Sequence, residues 1–368
     1  MKPSSMRAYR GRLAPSPTGF LHLGHARTFW IAWQRARAAG GKLVFRNEDL
    51  DCQRCKPEFV QAMYEDLRWL GLDWDEGPDL ARQSDKSSQP GDSGISPHPG
   101  KSGQSTGSNI GGPFAPYSQS QRRTFYLEAW RKLRDGGFIY PCTCSRKDLE
   151  RALSAPHEEP LHGADPHKPM HGEASMGLQS TCGTAALGGD VLNQTLVPVT
   201  DDELPYPGTC REKLSTAKDY DSPAGVSWRF KVPDGELISF EDGYYGHQQF
   251  TAERDFADFL LWRRDDIPAY QLAVVVDDEA MQITEVVRGA DLLKSTARQL
   301  LLIRALGYSI PAYFHCPLLR DNKNVRLAKR HDALSLRKLR EQGVQAGELR
   351  RRFAQEIKTI SYLYNGIL

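Results

Sequence analysis

The sequence predicts an α/β protein: a mainly parallel sheet flanked by helices and split by a small inserted unit. Two observations carry this. Strand-like and helix-like stretches alternate over residues 1–83 and again over 251–320, the pattern of βαβ units. Between them, residues 114–250 hold closely spaced cysteines and short alternating runs that suit a separate small unit.

The elements follow in order. Arg12 to His25 reads Arg-Leu-Ala-Pro-Ser-Pro-Thr-Gly-Phe-Leu-His-Leu-Gly-His, a strand end, a Pro/Gly turn and a helix start. The helix runs from Ala26 to Ala39 with Phe29, Ala32, Trp33 and Ala36 at helical spacing, and Gly40-Gly41 stops it. Lys42 to Arg46 reads as a strand, and Pro57 to Leu70 as a helix that buries Phe59, Met63, Leu67 and Leu70 before Gly71. Ser84 to Pro113 contains 7 Gly, 8 Ser and 4 Pro and reads as a disordered insertion. Gln121 to Leu133 is a helix with Phe125, Ala129 and Leu133 on one face, and Ser145 with Asp148 predicts a further helix cap. Pro156 to Pro205 is a second irregular insertion, with order resuming near Tyr206. Ser227 to Pro233 and Leu237 to Asp242 alternate like antiparallel strands about Pro233-Asp234-Gly235. Phe259 to Trp262 and Ala269 to Val276 are apolar runs suited to buried parallel strands, and Asp291 to Leu306 is a helix stopped by Gly307. The expected units are thus 1–83 and 251–320 for the split fold, 84–113 and 156–205 for insertions, 114–250 for the inserted unit, and 321–368 for a basic loop with a short helical segment.

Composition narrows the class. With 368 residues and 39% hydrophobic content the chain can bury a sizeable core, and a net charge of +2 is too mild to prove nucleic-acid binding. The charge is uneven, however: 11 Lys/Arg face 4 Asp/Glu between Arg320 and Arg352, either a solvated face or a surface for an RNA backbone. Met1 to Arg12 is polar and basic, with no secretory signal, and no apolar run is long enough to span a bilayer. Seven cysteines without a signal predict reduced thiols in the cytoplasm, and no leftover apolar stripe suggests anything but a monomer.

Three groups of residues carry chemistry. His22 and His25, three apart at a helix start, can bond one anion such as a phosphate, and Gly24 lets a flat base approach the backbone; the plainer reading is a turn with two surface histidines. A carboxylate of Asn47-Glu48-Asp49-Leu50-Asp51 can hold an ammonium group and Arg12 a carboxylate, which together describe an acidic amino acid; the plainer reading is an acidic turn at a helix start. Cys142-Thr-Cys144 and Tyr206-x-x-x-Cys210 offer three thiols and a phenol for a tetrahedral metal site, or else two buried thiols and a loop cysteine. Cys52 and Cys55 read as incidental, and His157, His162, His167 and His171 as a solvated loop.

A second signature lies far downstream, Arg326-Leu-Ala-Lys329-Arg330. Together with the His-Leu-Gly-His turn it resembles the paired nucleotide-binding signatures of class I aminoacyl-tRNA synthetases, although Arg326 and Ala328 depart from the Lys-Met-Ser-Lys-Ser form. Arg12 to Ser16 with Pro17-Thr18-Gly19, and the long match from Ala269 to Asp291, narrow the resemblance to the glutamyl branch. Only 38 residues follow the second signature, too few for a helical anticodon-binding region, so the chain resembles the glutamyl-Q tRNA(Asp) synthetase family. The resemblance implies a Rossmann-type class I fold and a zinc ion on Cys142, Cys144, Tyr206 and Cys210. It also implies glutamate contacts from Arg12, Ser16, Glu48, Tyr270 and Arg288, and ATP contacts from His22, Gly24, His25 and Lys329, with Mg²⁺ accompanying ATP. His22, His25 and Lys329 would stabilise the transition state without a covalent enzyme intermediate. Glutamate would be activated without tRNA and moved to the queuosine of tRNA(Asp). A compact glutamyl-tRNA synthetase acting on tRNA(Glu), another His-x-Gly-His nucleotidyltransferase and a non-catalytic RNA-binding module are the alternatives.

Overall fold

A computed structural model describes residues 8–78, 112–145, 147–148, 206–319 and 335–363. The expectations for residues 84–111 and 156–205, for His157, His162, His167 and His171, and for Arg326, Ala328 and Lys329 lie outside the described residues.

Strand β1 (Arg10–Leu13) and strand β2 (Lys42–Phe45) pair in parallel across helix α1 (Leu23–Ala38), giving the expected strand, helix, strand unit. The helix starts three residues before the expected Ala26 because His22 caps it. It ends where Gly40 takes a φ of +58° and Gly41 N–H donates to Ala36 O, a turn that a side chain at position 40 would strain. Helix α2 (Pro57–Trp69) begins with proline, as its sequence requires, and buries Met63 and Leu67 against α1 and β2. Helix α3 (Arg123–Asp135) buries Tyr126, Ala129, Trp130 and Leu133. The Ser145 cap is also present: Ser145 N–H donates to Asp148 Oδ2 at 2.8 Å, and Asp148 N–H returns to Ser145 Oγ at 3.2 Å.

The middle of the chain departs from expectation. Strand β3 (Ile139–Cys142), strand β4 (Ser227–Phe230) and strand β7 (Phe259–Trp262) form an antiparallel sheet. Strand β5 (Leu237–Asp242) instead forms a hairpin with strand β6 (Gly246–Thr251). Ser227–Pro233 and Leu237–Asp242 are therefore strands but not partners, and Phe259–Trp262 is antiparallel rather than parallel. Alternation gives a strand its faces but not its neighbour. The Ala269–Val276 run is not a strand: helix α4 spans Tyr270–Ala280. Leu272 to Asp278 are buried on all sides of α4, and an unbroken apolar run carries no period to separate helix from strand.

Strand β8 (Glu285–Gly289) pairs in parallel with strand β9 (Ala312–Cys316) across helix α5 (Leu293–Leu306), and β9 also runs parallel to β5. The fold is α/β as expected, but its sheets are mixed. Thr284 N–H donates to Arg10 O at 2.9 Å, so β1 lies beside β8 and the two halves of the chain share one edge. Helices α6 (Leu336–Glu341) and α7 (Ala346–Leu363) close the first half, with Phe353 fully buried near Trp30 at 5.9 Å. Among the described residues no helix is long and apolar enough to cross a membrane.

Candidate active site

The cleft forms where β1, β2 and β8 end. Arg46 N–H donates to Leu13 O at 2.8 Å and Glu48 N–H to Pro15 O at 3.0 Å, which lays the turn after β1 alongside the segment after β2. The cleft, about 460 Å³, is lined by Arg12, Ser16, His22, Gly24, His25, Glu48, Tyr270 and Arg288. Thus every expected cleft residue among those described reaches one cavity, from positions scattered over some 280 residues of chain.

On one wall His22 is the N-cap of α1, and its Nδ1 accepts from Gly24 N at 3.1 Å and His25 N at 3.4 Å. That assigns the neutral ring's proton to Nε2. The His22 and His25 rings stack with centroids 3.7 Å apart. The cap also bears on Gly24: a Cβ there would stand 3.1 Å from His22 Cε1 and press on the capping ring.

The charged groups line the same cleft. Arg12 is buried, its Nη1 donating to Val287 O at 2.8 Å, and Ser16 Oγ donates to Glu48 Oε2 at 3.3 Å. Burial raises the Glu48 carboxyl above its ordinary range, and Arg46 and Arg12 oppose that rise. Tyr270, at the first turn of α4, has its phenol raised, chiefly by burial and against Arg288.

Behind these groups runs a buried ionic network that motif reading missed. Arg46, with no exposed surface, donates to Asp278 Oδ1 at 2.6 Å and Glu48 Oε1 at 3.0 Å. Asp278 Oδ1 also lies 3.6 Å from Arg12 Nε. Asp277 accepts from Arg122, Gln119 and Tyr126 at 2.6, 2.8 and 2.9 Å. The available signal was two adjacent acids closing the apolar run of α4, since buried carboxylates demand partners.

The expected flank of Lys329 is also at the cleft. Leu319 lines it, and Leu336 N–H donates to Leu21 O at 2.7 Å beside a bridge between Ser335 and His22.

The cysteines gather elsewhere, between β3 and a 3₁₀ stretch, Arg211–Asp219. The sulfurs of Cys142, Cys144 and Cys210 lie within 4.8 Å of one another. Tyr206 Oη is 3.5 Å from Cys142 Sγ and 3.9 Å from Cys144 Sγ. Ligands about 2.3 Å from a tetrahedral ion stand ~3.8 Å apart, so this set fits a metal such as zinc. Cys52 and Cys55 are not part of it.

Residues 8–168 and 205–356 match the pattern of the tRNA synthetases class I (E and Q), catalytic domain. The chain is 42% identical to the glutamyl-Q tRNA(Asp) synthetase of Nitratidesulfovibrio vulgaris, over 92% of this chain and 83% of that protein. The chain belongs to this family. It is also 40% identical to the glutamyl-Q tRNA(Asp) synthetase of Symbiobacterium thermophilum, over 90% of this chain and 81% of that one. Against the glutamate–tRNA ligase 2 of Acidithiobacillus ferrooxidans, identity is 34% over 94% of this chain but 57% of the other. A glutamate tRNA ligase structure from Elizabethkingia meningosepticum, in complex with its amino acid, superposes with a TM-score of 0.59 at 23% identity, over 92% of this chain and 54% of that one, and so shares the fold. The family's class I α/β architecture is the one described above.

Proposed function

We propose that this enzyme activates L-glutamate with ATP in the absence of tRNA and transfers it to the queuosine in the anticodon of tRNA(Asp). One observation carries the reading: two cations, Arg12 and Arg288, and a carboxylate, Glu48, line the same cleft as the stacked His22 and His25. Two guanidinium groups and one carboxylate complement the side-chain carboxylate and ammonium of glutamate, which leaves the α-carboxylate to react. Ser16 and Tyr270 complete the amino-acid pocket.

The α-carboxylate oxygen attacks the α-phosphorus of ATP, which arrives with Mg²⁺; the bond to the β-phosphate oxygen breaks, and pyrophosphate leaves with its electron pair. His22, through Nε2–H, and His25 stabilise charge on the phosphates, and Lys329 is assigned the same role. A queuosine hydroxyl oxygen then attacks the activated carbonyl, loses its proton and expels AMP. The protein contributes position and electrostatics, and no enzyme bond forms.

Cys142, Cys144, Tyr206 and Cys210 would hold zinc, which when bound ties two segments of chain together. Work on tRNA with ATP assigns the enzyme to the cytoplasm. The decisive experiment is glutamate-dependent ATP–pyrophosphate exchange without RNA, followed by transfer of labelled glutamate to tRNA(Asp) with and without queuosine. Labelling confined to queuosine-containing tRNA(Asp) supports the proposal. Exchange that needs tRNA(Glu), with label at its 3′ end, would replace it with a charging enzyme.

A further inference from the structure

Arg288 stands one residue before the end of β8 with almost all of its donors spent inside the protein. Its Nη1 donates to Gln299 Oε1 at 2.8 Å, and its Nη2 to Thr296 Oγ1 at 2.8 Å and Leu292 O at 3.4 Å. Its Nε donates to His315 Nε2 at 3.1 Å. A guanidinium has five N–H groups, so one, on Nη1, remains. By the same count Arg12 gives one N–H to Val287 O and keeps its Nε beside Asp278, leaving three.

His315 itself is completely buried on β9. Its Nδ1 meets Asp242 Oδ2 at 2.6 Å. Asp242 also accepts the backbone N–H groups of Tyr244, Tyr245 and His315, so its oxygens face donors throughout and the ring proton belongs on Nδ1. Nε2 is then an obligate acceptor, the state in which it can receive Arg288 Nε–H, with the Thr296 hydroxyl also 3.1 Å away. Burial, assisted by Arg288, draws the imidazole down to about 4 against the pull of Asp242, so the ring stays neutral at working pH.

We infer that His315 is a positioning residue: fixed as one tautomer by Asp242, it locks the guanidinium plane of Arg288 so that its single remaining N–H meets the side-chain carboxylate of glutamate. A carboxylate accepts that N–H with either oxygen, whereas glutamine must turn its carbonyl oxygen inward and stack its amide N–H₂ against Arg12 or another donor. A rigid Arg288 therefore favours glutamate over glutamine, and a loosened one discriminates less. This inference rests on the glutamate-activating function proposed above.

The test compares His315→Asn with His315→Gln in the full chain by glutamate-dependent and glutamine-dependent ATP–pyrophosphate exchange. Asparagine retains a polar group near Asp242 but withdraws the acceptor from Arg288; the glutamine Oε1 can replace Nε2. The expected result for His315→Asn is a rise of about tenfold or more in KM for glutamate and a smaller preference over glutamine. KM for ATP and kcat at saturating glutamate should stay within about threefold, and His315→Gln should recover most of the loss. Unchanged KM for glutamate in His315→Asn would overturn the inference. So would a parallel loss in KM for ATP, kcat and melting temperature that His315→Gln does not repair, since this marks a purely structural residue. If the wild-type chain shows no glutamate-dependent exchange, the proposed function itself fails, and the two failures are distinguishable.

Discussion

In the cleft, the charge partners Arg46 and Asp278 stand 232 residues apart and belong to separate elements, and every carboxylate among them is answered by an arginine. In the thiol cluster, Cys142 and Tyr206 are separated by 64 residues, and Cys142 and Cys144 by a single one, so the ligands come from short stretches of local backbone. The cleft holds its charges in place by mutual pairing of its own side chains. The cluster brings together four like donors, whose natural complement is a cation. One region is thus preorganised by its own charges, whereas the other gathers donors that a cation would complete.

The largest expected effect follows from that pairing. Arg46→Met removes the cation hydrogen-bonded to both Glu48 and Asp278 and leaves only Arg12 nearby, and unfolding in urea should report a loss of about 3–5 kcal/mol. A loss under 1 kcal/mol would mean that the network is not a unit.

The same contrast explains what could be read from the sequence. Arg12, His22, His25 and the cysteines with Tyr206 stood out by type and spacing, while Glu48, Tyr270 and Arg288 were picked out by the family resemblance. Arg12, His22 and His25 reach one cleft with these last three, and Cys142, Cys144, Tyr206 and Cys210 one cluster. Their supports did not stand out, because Arg46 is a strand-end residue and His315 lies inside an apolar strand, each given meaning only by a partner distant in the chain. The α4 sequence looks like a strand for a related reason: its burial on all sides erases the period that marks a helix. Strand pairing between β5 and β9 likewise depends on contacts that alternation does not encode.

Next in size is Glu48→Gln, which keeps the shape but not the charge that we propose faces the ammonium group. It should lower kcat/KM for glutamate about a hundredfold, ~2.7 kcal/mol, with KM for ATP nearly unchanged. Equal loss for both substrates would place Glu48 in the scaffold rather than the pocket.

The cluster should respond differently. Cys142→Ser should remove one equivalent of bound zinc by elemental analysis and about 2 kcal/mol of stability. Glutamate-dependent exchange should fall by no more than a few-fold, because none of the four ligands lines the cleft. Full-strength zinc in the variant would contradict the ligand assignment.

The smallest effect comes from a carboxylate outside both networks. Asp66 is buried with Oδ2 lacking a hydrogen bond and Arg340 no nearer than 3.8 Å. Burial raises it to about 6, against Arg340, where the unfolded chain keeps its usual value of ~3.9. The folded chain binds the extra proton between those values, so stability falls as pH rises through that window and stays lower above it. Asp66→Asn should add about 1 kcal/mol at pH 7.5 and little at pH 4. A gain that does not vary with pH would trace to something other than this proton.

The central claim is that the cleft alone, with its charges already paired, activates glutamate. Single-turnover mixing of the full chain with ATP and labelled glutamate, without RNA, tests it by chromatographing the quenched products. The account predicts labelled glutamyl-adenylate approaching one equivalent per enzyme, absent with aspartate; no adenylate until RNA is added would contradict it.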